Sequence, residues 1–168
     1  MDVFVKRGRI LVMDDEEAWR DELAETLRRN DFLVDTASTA EYAIKLLDEG
    51  FYHLLVLDLC MDEMDQANEG GITLLKELEK RGLSDATRAV MLSAYGTREQ
   101  MRDVFKDYNV ADFFFKDQFS NRTFVKDVHR IFLNDVKVNL QLDINWQAPY
   151  RLERATRDIL IDGQRVED

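Results

Sequence analysis

At 168 residues the chain has room for one ordinary domain with a real core plus an extension. Its 34 acidic side chains outnumber 23 basic ones, and a net charge of -11 at pH 7 would repel a phosphate backbone, which argues against direct nucleic-acid binding by the main domain. No apolar run reaches bilayer length, residues 1–7 lack the apolar core of a signal peptide, and the lone Cys60 rules out an internal disulfide framework and a Cys-rich zinc site, so a cytoplasmic protein with no membrane partner is expected. In chain order, apolar runs then alternate with amphipathic stretches, as βαβ units do. Arg9–Met13 reads as a strand, and Glu17–Asn30 as a helix with Trp19, Leu23 and Leu27 near one face. Leu33–Ala37 reads as a second strand. Ser38 or Thr39 caps a helix in which Ala40, Ala43, Ile44 and Leu47 repeat at helical spacing, and Gly50 stops it. Leu54–Leu57 is a third strand and Ile72–Arg81 a helix bearing Leu74, Leu75 and Leu78. Arg88–Leu92 and Ala111–Phe115 are strands four and five, separated by a helix over Arg98–Tyr108 and followed by one over Asn121–Asp135.

These strand runs lack period-two alternation, so helices should cover both faces of the sheet. With right-handed crossovers the expected fold is a three-layer α/β/α sandwich over residues 1–135. Residues 136–168 form a C-terminal extension of a different character. Val136, Val138, Leu140, Leu142, Ile144 and Trp146 alternate with polar residues, the mark of a strand with one wet face. Pro149 then opens a short helix with Leu152, Ala155 and Ile159. Such an extension would pack on the main domain, pair with another chain as a dimerisation arm, or begin a further effector region.

The chemistry lies at the strand ends. Leu54-Leu55-Val56-Leu57 closes on Asp58, Ile10-Leu11-Val12-Met13 on Asp14-Asp15, Ala89-Val90-Met91-Leu92 on Ser93, and Phe113-Phe114-Phe115 on Lys116. In an open parallel sheet those ends converge on one crevice. Two carboxylates about 4 Å apart repel by roughly 4 kcal/mol at an effective dielectric near 20, so the cluster calls for a counter-charge. A hard divalent cation with oxygen ligands, Mg²⁺ above all, suits a small open carboxylate site. With the Lys116 amine beside it, such a site welcomes a phosphoryl group. Each residue also has a plainer reading: Asp14 and Asp15 as helix caps, Asp58 as a turn former, Ser93 as a cap and Lys116 as a surface charge. The joint pattern is far more specific than any one of them.

The segments RILVMDDE, LLVLDLCM, VMLSAYG and FFFKD resemble the receiver domain of bacterial two-component response regulators, over about residues 8 to 135. The resemblance implies a flavodoxin-like sheet of strand order 2-1-3-4-5, whose crevice lies at the carboxyl ends of the strands. It implies that Asp58 accepts the phosphoryl group from a sensor histidine kinase or phosphotransfer protein. Asp14, Asp15 and Asp58 would hold Mg²⁺ together with the backbone carbonyl of Cys60. Ser93 would move onto the phosphoryl group, Lys116 would neutralise its oxygens, and Phe113 would be the aromatic switch residue. Cys60 and Tyr95 would flank the path of attacking water and tune the lifetime of the signal. The fourth helix, fifth strand and fifth helix would form the face through which self-association or partner binding is switched, giving a signalling protein and not a turnover enzyme.

Three departures from the family pattern stand out. Asp62 replaces the usual proline after Met61. The loop carries an acidic insertion around residues 66–70. Asp117 replaces the proline that usually follows the lysine; a non-proline cis bond costs about 2.5–4 kcal/mol, so a trans Lys116–Asp117 bond is expected. Two rivals to the receiver reading are a phosphorylation-independent interaction domain and an aspartate-nucleophile phosphatase. The second needs an acid two residues after the nucleophile, where this chain has Cys60.

Overall fold

The computed structural model describes residues 8–59, 70–94, 98–146, 150–152, 159–161 and 164–166. Two compact units are present, Met1–Lys126 and Asp127–Asp168. In the first, five strands alternate with helices: β1 (Arg9–Met13), α1 (Glu17–Arg28), β2 (Leu33–Ala37), α2 (Ala40–Glu49), β3 (Leu54–Asp58), α3 (Gly70–Lys80), β4 (Arg88–Ser93), α4 (Arg98–Asp107) and β5 (Val110–Phe115). A single 3-10 turn, Lys116–Gln118, leads to α5 (Asn121–Trp146). The strands pair in parallel in the order β2-β1-β3-β4-β5, the flavodoxin-like arrangement expected from the sequence.

The apolar runs form the three central strands because nothing in them needs water. Ile10–Val12 and Leu54–Leu57 are buried throughout, as are Ala89–Leu92. On one face, Leu11, Met13, Leu55, Leu57, Ala89 and Met91 join Ala43 and Leu47 of α2, the leucines of α3, and Val104 of α4 in a single core. Successive strand residues point to opposite faces, so Ile10, Val12, Leu54, Val56, Val90 and Leu92 bury the other side. There Leu23, Ala24 and Leu27 of α1 are buried, and α1 lies along β1 and β2. The edge strands β2 and β5 are only half buried.

Local signals place the helix ends. Thr39 caps α2, its hydroxyl accepting from the Tyr42 N–H at 3.2 Å, and Gly50 closes it. Helix α3 ends on Gly82, whose φ of 68° is the left-handed conformation that glycine adopts without strain; the Leu83 N–H then reaches back to the Leu78 carbonyl at 2.9 Å. The same device ends α1 at Arg28, two residues before the position expected from the sequence, with Asp31 as the left-handed residue at φ 66°. Gly71 matters for a different reason. A Cβ there would lie 2.8 Å from the Asp58 carbonyl oxygen, so α3 approaches the end of β3 more closely than any other residue would permit.

The second unit corrects the reading of residues 136–168. Residues 136–146 continue α5 as helix instead of forming a strand. The alternating apolar residues also repeat at i, i+4 (Val136, Leu140, Ile144 and Val138, Leu142, Trp146), so the pattern fits either period. No glycine or proline interrupts Asn121–Trp146, and extending an existing helix needs no new nucleus. Leu152 and Ile159, expected in a helix after Pro149, lie instead in strands, within the antiparallel sheet of β6 (Tyr150–Leu152), β7 (Ile159–Ile161) and β8 (Gln164–Val166), in the order β6-β7-β8. Ala155, Cys60, Tyr95 and the acidic insertion 66–70, apart from Gly70, lie outside the described residues. Among the described residues, no helix is long and apolar enough to cross a membrane.

Candidate functional site

Three strands deliver charge to one end of the sheet. Asp14 follows β1 directly and continues its pairing, its N–H donating to the Ala37 carbonyl at 3.2 Å. Asp58 is the last residue of β3, held in register with Leu92 of β4. Lys116 follows β5 and opens the 3-10 turn. Apolar strands on both sides force these polar ends into a buried setting: Asp14 is 1% exposed, Asp58 6% and Lys116 8%.

The Lys116 ammonium binds the site together. Its Nζ lies 2.9 Å from Asp14 Oδ2 and 3.0 Å from both Asp58 Oδ2 and Glu16 Oε1. Burial opposes the Lys116 charge, but the surrounding carboxylates outweigh it and raise the amine's pKa. Burial also pushes the Asp58 carboxyl up to about 7, helped by the charge of Asp14, opposed by Lys116 and helped slightly by Asp15. Asp14 is raised as well, again chiefly by burial, against the pull of Lys116.

One lysine does not satisfy two buried carboxylates. Asp58 Oδ1 has no hydrogen-bond partner, and Asp14 Oδ2 has the ammonium beside it without hydrogen-bond alignment. Carboxylate oxygens of Asp14, Glu16 and Asp58 lie within 4.8 Å of one another. An all-oxygen donor set with buried lone pairs to spare fits a hard divalent cation.

Glu16 joins two of the expected acids, Asp14 and Asp58, in this cluster. Asp15 is exposed, and Glu16 takes the place beside Lys116. The charge of Asp15 still acts on Asp58 and helps to raise its pKa. Glu16 is the N-cap position of α1 with an extended backbone, and its own N–H donates to Asp14 Oδ1 at 2.9 Å. Glu16 is the last letter of RILVMDDE and carries no assigned role in the sequence.

Ser93 is fully buried at the end of β4, and its hydroxyl donates to the Leu59 carbonyl at 3.2 Å, one residue beyond Asp58. Phe113 is half buried on β5, opposite Met91 and packed on the core, with its ring 5.4 Å from Phe115. Residues 10–129 match the family model for the response regulator receiver domain. The chain belongs to that family.

As a receiver it has relatives in sequence and in fold. It is 33% identical over 103 residues to an uncharacterized 14.6 kDa protein of the sodA1 3′ region of Leptolyngbya boryana, covering 59% of this chain and 75% of that one. A CheY-like receiver domain protein from Methanospirillum hungatei superposes with a TM-score of 0.67 at 20% identity, over 79% of this chain and 98% of that one. The receiver domain of the Francisella response regulator 1452 superposes with a TM-score of 0.63 at 25% identity, over 75% and 97%. Receiver domains bind Mg²⁺ at an acidic pocket, and the acidic cluster of this chain lies where β1 and β3 end.

Proposed function

We propose that this receiver accepts a phosphoryl group onto Asp58 from the phosphohistidine of a histidine kinase or phosphotransfer protein in the cytoplasm, and that the modification switches partner binding or homodimer formation. The observation that carries this reading is the buried Asp58 carboxylate, with one oxygen tied to Lys116 and the other unpartnered. A carboxylate oxygen of Asp58 forms the new P–O bond as the P–N bond to the imidazole breaks, and the departing ring keeps the electron pair and takes up a proton. Asp14, Glu16, Asp58 and the neighbouring Asp15, with the Cys60 carbonyl expected from the sequence, would hold Mg²⁺, which supplies positive charge for the transferring oxygens. Lys116 is already against Asp58 and follows the charge onto the phosphoryl group. Ser93 exchanges its bond to Leu59 for one to the phosphoryl oxygens, Phe113 turns toward the space it leaves, and the face built from α4, β5 and the start of α5 changes shape.

Acetyl phosphate with Mg²⁺ is the direct test. Intact mass should show one phosphate adduct on the wild type, none on Asp58→Asn, and none after chelation. A wild type that stays unmodified, or an adduct that survives in Asp58→Asn, overturns the reading. Beryllofluoride with Mg²⁺ should change the oligomeric state or the shape of the wild type and leave Asp58→Asn unchanged. We further assign control of the adduct's lifetime to Cys60 and Tyr95. Tyr95→Ala should lose the phosphate several-fold faster than the wild type, and equal decay rates would refute that role.

A further inference from the structure

The three carboxylates that hold Lys116 are the same groups a bound cation would claim. Loading the site therefore draws the counter-charges away from the amine just when the amine is needed over Asp58. A lysine on its own is a flexible four-carbon stem with a point charge at its tip, and it drifts when its partners leave.

One contact of Lys116 is different in kind. The indole of Trp19, on α1, lies under the ammonium with 5.4 Å from Nζ to the ring centroid. That is inside the roughly 6 Å reach of cation–π attraction, which is strongest for Trp. A ring face offers no oxygen to a hard cation, so Mg²⁺ does not compete for it. The ring is also held. It meets Phe119 edge-on, centroids 5.3 Å apart at 88°. Phe119 packs in turn on Phe124 at 5.2 Å and on Phe114 at 6.2 Å, and Phe124 is fully buried. The indole is thus one end of an aromatic ladder anchored in the core. Trp19 also shares its helical stripe with the buried Leu23 and Leu27, which fixes the direction of the helix that carries it.

We propose that Trp19 is a positioning residue for Lys116, holding the ammonium over the Asp58 carboxylate when the surrounding acids are engaged by a cation. The inference rests on the phosphoryl-acceptor reading and adds to it a residue that touches none of the reacting atoms. It assigns to Phe119 the supporting role of keeping the indole in place.

The test is a double-mutant cycle in phosphorylation rate with acetyl phosphate at saturating Mg²⁺. Trp19→Leu keeps apolar bulk on the stripe and removes the ring face; the rate should fall about three- to tenfold, in the range a partly desolvated cation–π contact supplies. Trp19→Phe, which restores a ring, should recover most of it. In a Lys116→Ala background Trp19→Leu should change nothing further. A Trp19→Leu rate equal to wild type, or the same fold-loss with and without the lysine, overturns the proposal, because packing alone would act in both backgrounds. A second readout does not depend on phosphorylation. In the wild type the Lys116 ε-methylene resonance should show an upfield ring-current shift that persists when Mg²⁺ saturates the site, shrinks in Trp19→Phe and vanishes in Trp19→Leu. A shift that disappears on adding Mg²⁺ sinks the positioning role. A wild type that takes no phosphoryl group sinks the acceptor reading alone, and the resonance still decides the role of Trp19.

Discussion

Asp58→Asn should make the metal-free protein more stable at pH 8, by about 1–3 kcal/mol, while abolishing phosphoryl acceptance. The gain follows from holding a carboxylate where it does not ionise easily. Its folded pKa of about 7 stands well above the ordinary carboxylate value, because burial and the Asp14 charge outweigh the help from Lys116. Each pKa unit is worth about 1.4 kcal/mol, so the full cost of ionising Asp58 is bounded near 4 kcal/mol, and some of it remains in the variant as lost attraction to Lys116. The direction with pH is fixed by linkage. A group whose pKa is raised on folding stabilises the native state fully below its unfolded pKa, and that contribution is lost as pH rises through the folded value. Wild type therefore gives up this stability between about pH 4 and pH 8, and the asparagine variant does not. Urea denaturation in the presence of a chelator should show the two proteins close together near pH 4.5 and separated at pH 8. Mg²⁺ should then narrow the gap, because it binds the native wild type and not the unfolded chain. A difference that stays the same at both pH values would mean that Asp58 is not the strained group.

Much of this arrangement is legible in the residues themselves. Four apolar runs ending in Asp14, Asp58, Ser93 and Lys116 specify both the parallel sheet and the edge on which the polar groups meet, because one physical fact drives both: a strand buried on two faces has polar side chains only at its end. What the residues do not announce has equally specific causes. Glu16 comes to lie 3.0 Å from Lys116, a residue 100 positions away, and nothing local announces that contact. Trp19 reads in the sequence only as the first residue of a core stripe with Leu23 and Leu27, since nothing local says that a lysine 97 positions later will settle on its ring. Residues 136–146 carry a pattern compatible with both periods, and the choice falls to continuity with α5, a property of the preceding turns and not of the segment. In each case the missing information is non-local, and the strand-end residues are legible because their signal is not.

Lys116→Met should cost the metal-free protein about 3 kcal/mol at pH 8, the usual scale for stripping one partner from a buried ionic cluster. The substitution keeps the length and apolar stem of the side chain, so the cavity and packing contributions stay small. What it removes is the only cation found within 3.0 Å of Asp14, Glu16 and Asp58 together, among the described residues. Carboxylates about 4 Å apart then repel by roughly 4 kcal/mol at an effective dielectric near 20, with Asp58 protonating to relieve part of it. Two conditions should restore the variant. Lowering the pH toward 5 neutralises the raised carboxyls, and adding Mg²⁺ replaces the missing charge. Mg²⁺ no longer has to share the carboxylates with an ammonium, so its affinity for Lys116→Met should exceed that for wild type by about tenfold, equivalent to 1.4 kcal/mol. Thermal unfolding over a grid of pH and Mg²⁺ concentration checks all three expectations at once. If the variant loses the same stability in every cell of that grid, Lys116 serves as a packed stem and its charge is not what holds the acids together. If instead the loss is confined to high pH without metal, amine and metal ion are alternative counter-charges for one site, and phosphoryl transfer needs both because the incoming group brings more negative charge than either neutralises alone.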